Sequence, residues 1–169
     1  TFYADVRISD RYRIGDVNGG LKVMSAALTQ EQSGGGYHRN LRDMAGAVAD
    51  WARTVERDGR ALIDDSGTLA RLARVHTHAN IAEAVEARVL ATRLAGEPDL
   101  AYGPAAKVFC TESFITDAAD LLDLAAPESL IRGKTGLGLV EMGYRHSTAT
   151  TVYGGTSEVL RSMVAERRL

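Results

Sequence analysis

Apolar residues recur in steps of three and four along most of this 169-residue chain. Such steps place the residues on one face of a helix, so each run predicts an amphipathic helix. The runs predict helices after Gly20, around Trp51, over about 68–94, over about 105–124, over 139–148 and from Ser157 to the end. Long helices joined by short polar loops predict an all-α fold, an up-and-down antiparallel four-helix bundle with extra short helices.

One side of the fourth predicted helix is more apolar than the others. The residues along that side are Val108, Ile115, Ala118, Leu122 and Ala125. Because the apolar face of an amphipathic helix is normally buried, we expect this side to face the core.

The first residues follow a different pattern. From Thr1 to Ile8 apolar and polar residues alternate, which predicts a half-buried strand. A lone strand cannot satisfy its backbone, so its partner strands must lie elsewhere. We therefore expect residues 1–15 to be the end of a β-domain, residues 16–169 to form the helical-bundle domain, and the chain to be a piece of a longer protein.

The composition excludes several classes of protein. The chain has 20 Lys and Arg against 22 Asp and Glu, so no basic excess is available to neutralise nucleic acid. No apolar run reaches the ~20 residues of a membrane helix, and no leader opens the chain, so we expect no membrane contact. A single cysteine, Cys110, cannot form an internal disulfide. These features predict a soluble cytoplasmic protein.

Some short motifs that look like ligand sites are incomplete. Residues 133–135 (Gly-Lys-Thr) lack the earlier glycine and the apolar strand of a phosphate-binding loop, and residues 136–138 (Gly-Leu-Gly) are half of a dinucleotide fingerprint. His76 and His78 are two residues apart, so a helix points them to different faces. No Glu-x-x-His pair is present, and we expect no metal site.

Glu31 is the first candidate for chemistry. Leu21, Met24 and Leu28 form an apolar stripe, and the next step of three residues lands on Glu31. Burial of a carboxylate on this face would raise its pKa and make it a better proton acceptor. The alternative is that Glu31 lies in the last turn of the helix, where the stripe has ended and water is near.

The second candidate is the segment 153–158 (Tyr-Gly-Gly-Thr-Ser-Glu). Two glycines allow a backbone to come close to a ligand, and Thr156 or Ser157 can begin a helix whose free N–H groups point outward. Such a helix start suits a phosphate or the polar edge of a cofactor. The alternative is a plain helix cap, with Glu158 complementing the helix dipole.

The ordered set of motifs resembles one family. Residues 152–159, followed by Arg161 and residues 165–167 (Ala-Glu-Arg), resemble the C-terminal signature of acyl-CoA dehydrogenases. The segments 2–6, 18–20, 106–109, 111–112 and 144–145 also stand in the order of that family. The resemblance covers nearly the whole chain.

This resemblance implies a flavoenzyme with three domains, of which the C-terminal helical domain and an edge of the middle β-domain are present here. It implies FAD as cofactor and α,β-dehydrogenation of an acyl-CoA thioester, in the β-oxidation of fatty acids or steroid side chains. A carboxylate removes the α-proton while the β-hydrogen leaves as hydride to the flavin. The family further implies an electron-accepting flavoprotein or a similar acceptor and a homo- or hetero-tetramer, and we expect the isolated chain to be inactive.

The resemblance also implies roles for individual residues. Many members carry the base at the position of Gly154, which cannot accept a proton. In the long-chain and isovaleryl types the base lies on the first helix of the domain, and residues 28–31 (Leu-Thr-Gln-Glu) match that segment with Glu31 at the base position. By the same match Gly154 and Gly155 line the substrate, and Thr156, Ser157 and Glu158 contact FAD.

Three departures from the family pattern support an alternative. Gln32 stands where an Arg usually follows the base, residues 59–62 do not match the Arg-x-x-Phe-Gly segment, and residues 125–128 (Ala-Ala-Pro-Glu) replace a glycine-rich flavin contact. Such divergence resembles actinobacterial members that act on bulky acyl-CoAs or pair with an unlike subunit. The chain can therefore also belong to a non-catalytic partner subunit of a heteromeric acyl-CoA dehydrogenase. A stand-alone helical binding module is a third reading.

Overall fold

The computed structural model describes residues 1–32, 35–97 and 99–168. The six helices in these residues are α1 (Gly20–Glu31), α2 (Tyr37–Ala52), α3 (Ser66–Leu94), α4 (Tyr102–Leu124), α5 (Gly138–Thr150) and α6 (Ser157–Arg168). Short 3-10 turns occur at Asp10–Tyr12, Leu62–Asp64 and Glu128–Leu130. The prediction of an all-α domain is confirmed, and the helices expected over about 68–94, 105–124 and 139–148 begin and end within three residues of α3, α4 and α5.

Side-chain contacts show that neighbouring helices of the bundle run antiparallel. Arg42 of α2 pairs with Glu83 of α3, while Gly36, before α2, contacts Glu86 further along α3. As the residue number decreases from 42 to 36 at α2, the number of the partner in α3 increases from 83 to 86, so the two helices run in opposite directions. The same holds for α3 with α4 and for α4 with α5, through the pairs Arg71–Asp123, Glu86–Cys110, Lys107–Thr150 and Phe114–His146. Helices α2 to α5 are the four helices of the predicted up-and-down bundle.

Helix α4 is the centre of the domain, because α2, α3, α5 and α6 all pack against it. The prediction of its buried side was partly wrong. Ala118 and Ala125 are fully buried, but Val108, Ile115 and Leu122 are only partly so. The side that faces the other helices contains Lys107, Cys110, Thr111, Phe114, Asp117 and Leu121. Three of these residues are polar, so the helical spacing of apolar residues did not reveal the buried side.

The strand predicted near the start of the chain is not formed. Residues 1–9 are exposed and make no strand pairing with the described residues, and even the apolar Phe2 and Ile8 are exposed. A strand needs a neighbour to accept its backbone hydrogen bonds, and no described segment provides one. The assignment of residues 1–15 to a β-domain stays a prediction.

A small hairpin that the sequence reading missed follows α2. Its strands, β1 (Glu56–Arg57) and β2 (Arg60–Ala61), pair antiparallel across a turn at Asp58 and Gly59. Both turn residues have positive φ angles, 53° and 74°, as a two-residue hairpin turn requires. Asp-Gly is a common hairpin signal, but strands of two residues are too short to show an alternating pattern.

None of the helices in the described residues is both long and apolar enough to cross a membrane.

A row of charges joins α3 to α4: Arg71 and Arg74 pair with Asp120, and Arg71 also pairs with Asp123. At the inner end of this row, the fully buried Asp117 accepts a hydrogen bond of 2.8 Å from Nδ1 of His78.

Burial raises the pKa of the Asp117 carboxyl, although His78 and Arg74 beside it act in the opposite direction. A folded-state pKa above the unfolded value means that the folded protein binds the proton more tightly. The side chain therefore stabilises the fold most below its ordinary pKa, and this contribution is lost as the pH rises through the folded pKa.

We expect the free energy of unfolding of the wild type, relative to that of Asp117→Asn, to decrease as the pH rises above about 4. Denaturant unfolding of the intact protein at several pH values between about 4 and 7 measures this difference. Asp43→Asn, on the exposed face of α2, is the matched control and should follow the wild type. A difference that increases with pH contradicts the raised pKa.

Candidate active site

Glu31 is the last residue of α1, and the helix does not bury it. No residue of α1 is buried, and Leu21 and Met24 are 72% and 52% exposed. The prediction that Glu31 continues a buried stripe is therefore wrong for this chain. The described residues cover the apolar face of α1 only in part, since Leu28 is half-buried, and Glu31 itself is exposed in the last turn.

The structure nevertheless brings Glu31 to the glycine pair before α6. A Cβ atom placed on Gly154 would lie 3.3 Å from Oε2 of Glu31 and 3.4 Å from Cε of Lys107. Gly154 has a φ of +68°, a conformation that strains residues with a side chain. The carboxylate of Glu31 thus occupies space that a side chain at position 154 would need.

Glu31 and Gly154 lie at a cleft of about 340 Å³, lined by Glu31, Gly35, Tyr37, Lys107, His146, Tyr153 and Gly154. On its wall, the hydroxyls of Tyr37 and Tyr153 lie 2.8 Å apart, and Nε2 of His146 lies 3.0 Å from the Tyr153 hydroxyl. Burial and the hydrogen bond to Tyr153 raise the pKa of Tyr37, so its phenol stays protonated. The cleft therefore combines one carboxylate with a hydrogen-bonded polar wall.

Sequence reasoning missed Tyr37, His146 and the role of Lys107 in this cleft. Tyr37 begins α2 and stacks on Phe114 of α4, with ring centroids 5.2 Å apart. His146 lies on α5, so the cleft is built from helices far apart in the chain. Of these residues, only Lys107 belongs to a segment of the family order (106–109), and helical spacing alone does not predict that this lysine faces Glu31.

The start of α6 has features of both readings of segment 153–158. Thr156 caps the helix, since its Oγ1 accepts a hydrogen bond of 3.4 Å from the N–H of Val159. The carboxyl pKa of Glu158 is lowered by hydrogen bonds to its own backbone N–H and to Thr156. Ser157 is different: its Oγ is buried and has no hydrogen-bond partner among the described residues. A buried hydroxyl without a partner fits the polar edge of a ligand, so Ser157 is suited to a cofactor such as FAD.

Two further residues shape this turn. Gly155 has a φ of +109°, and a Cβ there would lie 3.1 Å from Cδ2 of Leu160 and 3.6 Å from Nε2 of Gln32. Gln32, the residue that follows Glu31, is buried, and its amide lies beside the second glycine. The structure therefore places the end of α1 directly against the glycine pair.

Comparison with known proteins identifies the class. Residues 18–169 match the family of the acyl-CoA dehydrogenase C-terminal domain, and the chain belongs to this family. It is 32% identical over 179 residues to acyl-CoA dehydrogenase FadE26 of Mycobacterium tuberculosis. That match includes 97% of this chain but 43% of the relative, so the chain spans less than half the length of FadE26.

Solved structures agree on the fold. The chain is similar to a putative acyl-CoA dehydrogenase from Mycobacterium smegmatis (26% identity, TM-score 0.85, 97% of this chain and 43% of that one). It is also similar to a chain of the ChsE4-ChsE5 complex from Mycobacterium tuberculosis (28%, 0.80, 99% and 44%). Butyryl-CoA dehydrogenase from Megasphaera elsdenii shares the fold at 14% identity (TM-score 0.84, 97% and 42%).

The close approach at Gly154 leads to a stability prediction. Gly154→Ala places a methyl group against Glu31 and Lys107 at a positive φ, so we expect it to lower the free energy of unfolding by about 1–2 kcal/mol. Gly46→Ala, within α2 where a Cβ meets nothing, is the matched control and should stabilise by about 0.5–1 kcal/mol. Denaturant unfolding of the intact protein measures both changes, and equal effects of the two variants would contradict the tight packing at Gly154.

Proposed function

We propose that this chain is the C-terminal domain of an FAD-dependent acyl-CoA dehydrogenase, with Glu31 as the base that removes the α-proton of the acyl-CoA thioester. The observation that supports this most directly is the position of the Glu31 carboxylate, which occupies the space beside Gly154. The family resemblance puts the base at one of these two positions. A glycine at one of them leaves room for the carboxylate from the other.

The residues of the cleft have separate tasks in this proposal. Glu31 accepts the proton from the α-carbon, and the absence of side chains at Gly154 and Gly155 lets the thioester approach the backbone. Thr156, Ser157 and Glu158 hold the polar edge of FAD, with the unpartnered Ser157 hydroxyl as a free hydrogen-bonding group. FAD, when bound, supplies the acceptor for the hydride that leaves the β-carbon.

The proposal extends to the substrates and partners of the intact protein. We expect an acyl-CoA with a fatty or steroid side chain, in β-oxidation, and an electron-accepting flavoprotein or similar acceptor. We also expect a cytoplasmic homo- or hetero-tetramer. Because Glu31 is exposed here, its function as a base requires that other parts of the intact protein cover the cleft and exclude water.

A second candidate function is that of a non-catalytic partner subunit. Gln32 replaces the Arg expected after the base and is packed against Gly155. One structural neighbour is a chain of a complex between two differently named proteins, ChsE4 and ChsE5. Purification of the intact protein by itself separates the two functions, because stoichiometric FAD together with turnover excludes a purely structural subunit. Flavin-free protein that gains activity only with an unlike subunit favours the alternative.

The catalytic proposal predicts the effect of Glu31→Gln in the intact enzyme. The amide cannot accept the α-proton, so we expect kcat/KM to fall by about 10²- to 10⁴-fold while the protein stays loaded with flavin. Glu97→Gln, at an exposed carboxylate after α3, is the control and should retain activity. Steady-state kinetics measures kcat/KM, and the flavin absorption spectrum measures the bound flavin. Near-normal turnover of Glu31→Gln would exclude Glu31 as the base.

A further inference from the structure

Lys107 is the largest fully buried side chain in the described part of the chain, with 2% of its surface exposed. Burial of an ammonium group costs free energy unless other groups replace its water, and this desolvation lowers the pKa of Lys107. No described carboxylate lies within the 4 Å of an ion pair. Because packing alone would favour an apolar side chain here, we looked for a function of the ammonium group.

The hydrogen bonds of Lys107 identify one task. Nζ donates to the carbonyl of Thr150 at 2.6 Å and to the carbonyl of Tyr153 at 3.0 Å. Thr150 is the last residue of α5, and Tyr153 precedes the glycine pair. The carbonyls at the end of a helix have no partners within the helix and attract positive charge. Lys107 therefore ties the end of α5 and the following turn to the central helix α4.

The position of Glu31 identifies a second task. Oε2 of Glu31 and Cε of Lys107 each lie within 3.4 Å of one point, the Cβ position of Gly154, so these two atoms are less than 7 Å apart. An ammonium has three protons, and the two carbonyls use two of them. Both side chains line the same cleft, with Gly154 beside them.

We propose that Lys107 is a positioning residue of the acyl-CoA site. Its hydrogen bonds to Thr150 and Tyr153 hold the turn that presents Gly154 and Gly155 to the thioester, and its positive charge faces the Glu31 carboxylate across Gly154. This inference rests on the proposed role of Glu31 as base. It adds a residue on α4 that acts through Glu31 and the glycine pair rather than on the substrate itself.

Other titratable groups surround the pair and have to be considered in a pH experiment. Arg93 of α3 donates to the carbonyl of Thr29 near the end of α1. The remaining groups, on α2, α3, α4, α5 and the turn before α6, are Tyr37, Glu86, Cys110, His146 and Tyr153. Because Lys107→Arg keeps a cation among these same groups whereas Lys107→Met does not, comparing the pH profiles of the two variants isolates the loss of the charge.

The test compares Lys107→Met with Lys107→Arg in the intact enzyme. Methionine replaces the aliphatic part of the side chain without charge or donors, so we expect kcat/KM to fall by about 10- to 100-fold. The acid limb of its pH profile should move to higher pH, because the carboxylate has lost its nearby cation. Arginine keeps the charge and should keep the limb at the wild-type position. Lys134→Met, at an exposed lysine, is the matched control.

Unchanged kcat/KM and an unchanged acid limb in Lys107→Met overturn the proposal. The proposal is also overturned if Lys107→Met loses activity while its acid limb stays at the wild-type pH. The same holds if the acid limb of Lys107→Arg moves away from the wild-type pH, since either result shows a merely structural role. If Lys107→Met loses its flavin or fails to fold, Lys107→Gln, which keeps an amide donor but no charge, is judged by the same criteria. Glu31→Gln, measured in parallel, separates failure of this proposal from failure of the function: activity in that variant removes the base itself.

Discussion

Helix α4 packs against α2, α3, α5 and α6, so each of its faces has to be matched by a neighbour. The cleft follows from this constraint. Tyr37 at the start of α2 stacks on Phe114, and Lys107 holds the end of α5 through two carbonyls. Glu31 meets the turn before α6 at the same end of the bundle. One buried helix thus fixes the relative positions of four segments that are distant in the chain, which is what a site with several contributing residues requires.

Most polar groups inside a helical core are matched by hydrogen bonds, because an unmatched buried group costs free energy. In α4 the hydroxyl of Thr111 donates to the carbonyl of Lys107, and Asp117 accepts from His78. Lys107 is matched by carbonyls instead of a carboxylate, so its positive charge is not neutralised by direct contact. The charged groups of α4 therefore differ in what they contact. Those near Asp117 pair with charges on α3 and join the two helices, whereas Lys107 has no such partner among the described residues and lies beside the cleft.

Helical spacing predicted the helices well because each has an apolar face, and glycines at 154 and 155 marked the turn because only such residues adopt its positive φ angles without strain. Spacing could not reveal the buried side of α4, where Lys107, Thr111 and Asp117 interrupt the apolar pattern. It also gave Glu31 a buried position, since a stripe records which side of a helix is apolar and not whether a neighbour covers it. The cleft formed by Tyr37, Lys107 and His146 depends on long-range packing that no local pattern contains.

The exposure of α1 affects the surroundings that a base at Glu31 would have in the intact protein. Leu21 and Met24 are exposed apolar residues on the helix that ends at Glu31, and the family relative is more than twice as long as this chain. A covering domain over this face would bury the apolar residues and dry the cleft together. Drying favours the protonated form of a carboxyl, whereas a nearby cation favours the ionised form, and Cε of Lys107 lies less than 7 Å from Oε2 of Glu31. Both a cover from outside this chain and Lys107 from within it would then act on the carboxylate that the proposal makes the base.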